Sequence, residues 1–182
     1  MALIHEDGTG KADAESYCTL AFADAHHAAR GITLWATMSE AEREQALRRA
    51  TDFMVEKWRM LWAGARVSEV QALDWPRAWV PRQDYERAPA TPPTSIRGEL
   101  YYPANVVPLE VQRACAELAY RGGFGALAPD IERQTIREKL DTLEVEYSPH
   151  AVPYARYRAV ENMLAPFLLR GASGMAAKVL RT

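Results

Sequence analysis

The first residues whose types could do chemistry are Gly8-Thr9-Gly10-Lys11. Glycines ahead of a lysine can wrap backbone N–H groups and an ammonium around a phosphate. The spacing argues against it: the glycine required five residues before Gly10 is His5, and Ala12 stands where a Mg²⁺-binding hydroxyl is needed. Gly171-Ala172-Ser173-Gly174 lacks the one-residue spacing of a nucleophile elbow and no strand precedes it. His26 and His27 are adjacent, so on a helix their side chains diverge by about 100°, whereas helical zinc ligands stand three or four apart. His5 and His150 have no acidic or thiol companions at ligand spacing, and the pairs Glu40/Glu44 and Glu144/Glu146 belong to faces expected to be wet, so no general acid–base pair is assigned. The expectation is a protein without catalytic, cofactor or metal residues.

One segment retains a chemical reading. Trp75-Pro76-Arg77-Ala78-Trp79-Val80-Pro81-Arg82, followed by Tyr85 and Arg87, interleaves flat rings with cations, as single-stranded nucleic acid requires for its bases and backbone. Indole rings also bury well, so Trp75 and Trp79 read first as a satellite core pinned by proline.

The elements that must position these residues are mainly helical. Thr19 can cap a helix running through Ala29, with Gly31 ending it in the left-handed conformation. Ser39 and Glu42 have capping-box spacing, and the helix they open, to about Trp58, carries an apolar stripe of Leu47, Ala50, Met54, Trp58 and Leu61; Glu40, Arg43, Glu44, Arg48 and Arg49 take the other face. A third helix starts near Pro108, turns Val111, Cys115, Leu118 and Ala119 inward, and is expected to stop at Gly122-Gly123. The stretch Ile136 to Tyr147 alternates as two short strands in a hairpin around Asp141, with Leu143, Val145 and Tyr147 on one face. A last helix is expected from near Pro153, using Tyr157, Val160 and Leu164, until Pro166 kinks or ends it. Between Pro76 and Pro108 lie seven of the eleven prolines and no hydrophobic period, which predicts a long loop. The reading is a small mainly α module of four helices: a domain over residues 1–170 with the loop at 76–107 and the hairpin at about 134–148, then a flexible C-terminal arm, 171–182.

Hydrophobic residues make up 48% and charged residues 25% of 182, a balance that suits a soluble globular domain and excludes a wholly disordered chain. The net charge of −2 excludes a general polyanion binder. That total hides a gradient. Met1 to Ala29 holds Glu6, Asp7, Asp13, Glu15 and Asp24 against Lys11, while Ser148 to Thr182 holds Glu161 against Arg156, Arg158, Arg170, Lys178 and Arg181. The two ends either contribute neighbouring or solvated faces of one subunit or meet on adjacent copies. Cys18 and Cys115 are far apart in the sequence, form no C-x-x-C, and read as small hydrophobes in a reducing compartment; nothing greasy enough to cross a bilayer and no basic-then-apolar leader is present, so cytosol or an assembled particle is expected.

Seven stretches, taken in order, carry a resemblance: GTGKADAESY (8–17), ADAHHAARG (23–31), MSEAEREQALRRATDFM (38–54), QALDWPRAWV (71–80), VPLEVQRACAELAYR (107–121), LEVEYS (143–148) and AVENMLAPFLLRG (159–171). The chain resembles a family encoded in the morphogenesis region of tailed phages, whose size and position are similar to head-tail connector adaptors and which is also catalogued as DnaT-like single-stranded-DNA-binding protein. Gln71 to Arg77 is its most specific part, and its Leu73, Trp75 and Pro76 read as a packed corner. Two features depart from the family pattern: Trp79 stands where a small residue, often glycine, is usual, and the loop to Pro108 is long.

The resemblance implies a virion structural protein in the neck, made in the host cytoplasm, without catalysis, cofactor or membrane. About twelve copies would form a ring beneath the portal protein and above tail-side stopper or tail-terminator proteins, with double-stranded DNA passing through the lumen unread. Expected portal contacts are Met175, Lys178, Val179, Leu180 and Arg181 on the arm; expected loop contacts are Trp79, Arg82 and Tyr85. The alternative is a single-stranded-DNA-binding replication protein.

Overall fold

Thr19 does cap the first helix: its hydroxyl accepts the Phe22 N–H at 3.0 Å, and α1 runs Leu20–Ala28. In this computed structural model, which describes residues 2–82, 100–129, 137–140, 143–146 and 156–169, Gly31 follows at φ +67, the left-handed turn expected of it. A 3₁₀ turn at Thr33–Thr37, which carries no sequence period, then tucks Trp35 beneath α1. The capping box forms in full. Ser39 accepts from Glu42 N, and the Glu42 carboxylate accepts from the Ser39 N–H at 2.8 Å, opening α2 (Glu40–Trp58). Leu47, Ala50, Met54 and Trp58 are buried along its stripe and Leu61 is half-buried.

The opposite face of α2 is only partly given to water. Arg48 pairs with Glu15 at 2.9 Å, Arg43 with Asp24 at 2.6 Å, and the Glu44 carboxylate accepts the Leu3 N–H at 3.1 Å. The acidic N-terminal segment therefore lies along the arginines of α2, and Asp7 is paired with Lys11 at 2.9 Å. Glu15 and Asp24 thus find partners inside the subunit through tertiary contact, which a residue count at the two ends cannot register.

α3 (Leu109–Phe124) packs more extensively on α2 than any other pair of described elements and buries Val111, Ala114, Cys115, Leu118 and Ala119. Each large apolar side chain closed in this seam contributes roughly 1.5–3 kcal/mol. The expected stop at Gly122-Gly123 is corrected: the helix continues through both glycines. They permit close approach. A Cβ on Gly123 would stand 2.8 Å from Met38 Sδ, and one on Gly122 would stand 3.3 Å from the Leu127 side chain.

α4 is Arg158–Leu164, starting later than the expected Pro153, with Tyr157 at its cap and Val160 and Leu164 buried. Pro166 ends it in a 3₁₀ turn over Ala165–Phe167. Lys57 reaches from α2 to Glu161 at 2.7 Å, and Tyr157 donates to the Leu127 carbonyl at 3.1 Å. Beyond Pro166 the chain returns to the end of α2: Ala63 N–H donates to Phe167 O at 2.9 Å and Leu169 N–H to Leu61 O at 2.8 Å.

Two antiparallel pairs complete the described architecture. β1 (Ala65–Arg66) faces β2 (Arg77–Ala78), and β3 (Arg137–Leu140) faces β4 (Leu143–Glu146) with Leu140 opposite Leu143. The second is the expected hairpin, and the fold is mainly α with four helices; the faces expected of Leu143, Val145 and Tyr147 lie outside the described side chains. The first pair was not foreseen. Its ribbon extends past β2, where Arg82 N–H donates to Leu100 O at 2.8 Å and Tyr102 N–H to Val80 O at 2.9 Å, so both ends of the proline-rich loop are paired; residues 83–99, Tyr85 among them, lie outside the described residues. The arm 171–182 does too, with Met175, Lys178, Val179, Leu180 and Arg181. No described helix is long and apolar enough to cross a membrane.

Candidate functional site

The corner between Gln71 and Arg82 is built from the inside out. Gln71, buried, donates through Nε2 to the carbonyls of Leu73 (2.8 Å) and Pro76 (3.2 Å) and accepts the Ser68 N–H at 2.9 Å, which closes the turn that brings β2 back to β1. Asp74, also buried, pairs with Arg59 at 3.0 Å, and its N–H donates to the Tyr17 hydroxyl at 3.2 Å. The Trp75–Pro76 peptide is cis, and the Trp75 ring meets Trp62 and Phe167 edge-on at 5.8 and 5.6 Å. Arg77 is buried as well. Its guanidinium donates to Ala63 O at 2.8 Å, Gly64 O at 2.8 Å and Asp74 O at 3.2 Å, so this cation serves backbone carbonyls. Desolvation of that kind makes a positive charge costly unless its hydrogen bonds are met, and here three are.

The same ribbon turns other rings outward. Trp79 is 70% exposed and holds φ +57, a left-handed backbone that a bulky residue adopts only under constraint. Tyr101, opposite Pro81, is exposed, and Arg82 lies over the Tyr102 ring at 5.1 Å. The reading of Trp75 and Trp79 together as a satellite core is thus half corrected: Trp75 is core and Trp79 is surface. Residues four apart in a regular strand would share a face, and the left-handed backbone at Trp79 breaks that pattern.

Elsewhere the chemistry is structural. The Glu6 carboxylate sits where a phosphate would lie in the Gly8-Thr9-Gly10-Lys11 loop, accepting the N–H groups of Gly8 (2.9 Å), Gly10 (2.9 Å) and Lys11 (2.8 Å). The chain fills its own anion cradle. His26 is buried against Glu117 at 3.1 Å, and fully buried His27 meets the Ala116 carbonyl at 3.1 Å between Trp35 and Tyr120, fastening α1 to α3. Burial, followed by neighbouring His26, holds His27 below the ordinary imidazole pKa. Among the described residues no group of three His, Cys, Asp or Glu side chains is placed to hold a metal. Burial and the adjacent Glu56 raise the Asp52 carboxyl, and both line an open cleft of about 470 Å³ with Phe53 and Leu127.

A protein family described as "Putative DnaT-like ssDNA binding protein" matches the chain over residues 1–182. The chain belongs to that family. No curated protein and no solved structure matches it. Of the residues singled out by sequence, the family member's structure brings Trp79 and Arg82 onto one ribbon beside Tyr101 and Tyr102, and separates them from Trp75 and Arg77, which point inward. Sequence reasoning missed Tyr101 and Tyr102. Their alternation with the Val80–Arg82 strand is interrupted in the sequence by the proline-rich loop, so no local period marks the pair. It also treated Cys18 and Cys115 as unrelated, whereas both are buried about Ser16, whose hydroxyl donates to Cys18 O at 2.9 Å and stands 3.8 Å from Cys115 Sγ.

Proposed function

We propose that this family member is an assembly subunit, a head-to-tail adaptor that works by surface and shape without catalysis, in a ring that docks beneath the portal. The observation that carries this reading is the apolar surface at the end of α2. Met60 is 84% exposed there beside exposed Leu169, whose N–H bonds Leu61 as the chain leaves toward its C-terminal arm. Large apolar groups left uncovered at that point favour a covering partner, and in a ring each copy presents one face to a different face of the next. The resemblance described above supports the same reading, and the burial of Trp75 and Arg77 removes two of the six aromatic and cationic residues of that segment from service to nucleic acid.

The test is to combine the purified chain with portal protein and measure the mass of the complex, alongside a chain ending at Arg170. The adaptor reading expects a ring-sized assembly on the portal and loss of docking with the shortened chain; a full-length chain that remains monomeric and unattached overturns it.

The second reading is a single-stranded-DNA-binding protein. The family's description supports it more directly than it supports an adaptor, and exposed Trp79 and Tyr101 beside Arg82 supply rings and a cation on one ribbon. It expects an oligonucleotide to bind with micromolar or better affinity, steeply weakened by salt, and Trp79→Ala with Tyr101→Ala to reduce that binding at least tenfold.

A further inference from the structure

α2 has apolar surface at both of its ends. Beside its first turn a pocket of about 430 Å³ opens between α1 and the 3₁₀ turn, with Ala28, Ile32, Trp35 and Ala36 among its walls and Asp24 and Arg43 as its charged members. Those two pair at 2.6 Å, and Asp24 also accepts the Trp35 Nε1–H at 2.7 Å, so the pocket's charges answer each other and what it offers a guest is apolar. Leu34, from the same 3₁₀ turn, is exposed. Two residues past the other end of α2, Met60 projects into solvent beside Leu169. An unbranched thioether chain adapts readily to an irregular apolar hole. Arg43 and Met60 stand 17 residues apart in the sequence, which along a helix axis is about 25 Å, so the pocket and the methionine of one copy do not meet. The two ends also differ in sign. Glu40 and Glu42 occupy the first turn of α2, whereas Lys57 is in its last turn and Arg59 follows it, 46% exposed although paired with Asp74.

We infer that Met60 of one copy seats in the pocket of the next, so that a second copy of this chain covers both ends of α2. The inference rests on the adaptor reading and names the two faces that its ring joins. A knob and a hole on different surfaces of one subunit make a head-to-tail contact, which repeats from copy to copy until the rotation closes a ring. In that contact the acidic start of one α2 meets the basic end of another, which favours this register over one that sets like ends together. The methionine leaves water for apolar walls, and the uncovered patch at the end of α2 is closed.

Met60 and Ala36 are both exposed, so substitution at either leaves the core untouched, and the native thiols of Cys18 and Cys115 are buried. Full-length Met60→Cys and Ala36→Cys chains are mixed, oxidised with copper phenanthroline and separated without reductant. The inference expects a crosslinked dimer from the mixture, none from either variant alone, and a ladder beyond two copies from a chain carrying both substitutions. Met60→Asp is expected to weaken self-association roughly tenfold or more in the analytical ultracentrifuge while keeping the thermal midpoint of wild type. No crosslink in the mixture, Met60→Cys alone crosslinking as strongly as the mixture, a ladder that stops at two, or a Met60→Asp chain that associates like wild type would each overturn it. A ring-sized assembly on the portal from chains that do not crosslink removes this contact and leaves the adaptor reading standing; a ladder from chains that never attach to portal removes that reading and keeps the contact.

Discussion

Arg77 Nη2 donates to the carbonyl oxygen of Gly64 at 2.8 Å, and Gly64 itself sits at φ +69 with room for no side chain: a Cβ there would stand 2.2 Å from Ala78 O. The turn into β1 and the strand that pairs with it are thus fixed by one buried guanidinium and one glycine. Arg77→Met is expected to cost about 3 kcal/mol by leaving three carbonyls short of donors, and Arg77→Lys to recover only part of that, because an ammonium cannot span them. Urea unfolding of the three proteins measures it; equal stability of the lysine and wild-type chains would show that the fork geometry is not needed.

Glu6 is the internal anion of the loop that follows it. Glu6→Ala is expected to lower stability by about 2 kcal/mol, since three N–H groups lose a charged acceptor. Inorganic phosphate is expected to raise the melting temperature of that variant and to leave wild type unchanged. A phosphate response in wild type would show that the cradle is open.

Trp75 and Trp79, four residues apart, are expected to behave oppositely. Trp75→Ala should cost about 3–5 kcal/mol through the cavity it leaves. Trp79→Gly should stabilise by about 1 kcal/mol, because glycine adopts the left-handed backbone without strain. Denaturant midpoints of both variants decide it, and a destabilised Trp79→Gly would reveal packing for that ring.

Buried His27 sets a pH dependence. The unfolded chain takes up this proton near the ordinary imidazole value of 6.5, whereas folded His27 takes it up only at lower pH. Stability from this residue is therefore full above 6.5 and is lost as pH falls from there toward the folded pKa. Unfolding free energies measured from pH 7.5 to 5 should decline, and His27→Gln should flatten the decline; a profile that is the same in both proteins would assign it elsewhere.

Leu47 is fully buried where α2 meets α3. Leu47→Asp places an unpaired charge there and is expected to cost more than about 4 kcal/mol, enough to abolish the cooperative helical melt seen by circular dichroism. A soluble, fully helical variant would place the stripe elsewhere.

Helix starts and inner stripes were legible because their signals are local: a hydroxyl three residues before a carboxylate, or apolar groups three and four apart, act within one or two turns. Thr19, Ser39, Leu47, Met54, Val111 and Leu118 all behave as that logic expects. The glycines of α3 misled for the same reason. Gly122 and Gly123 look like a stop in isolation, and what they answer to is Leu127 and Met38 arriving from other elements.

The sequence by itself determined the mainly helical class, the capped starts of α1 and α2, the hairpin and the terminating role of Pro166, since each depends on neighbours along the chain. Tertiary structure alone decided which tryptophan is core and which is surface, that Glu6 occupies the glycine loop, that Glu15 and Asp24 belong to the arginines of α2, and that Ser16 stands between Cys18 and Cys115. Those outcomes turn on contacts between residues distant in the chain, whose energies depend on burial and geometry that exist only once α2, α3 and the ribbon have packed.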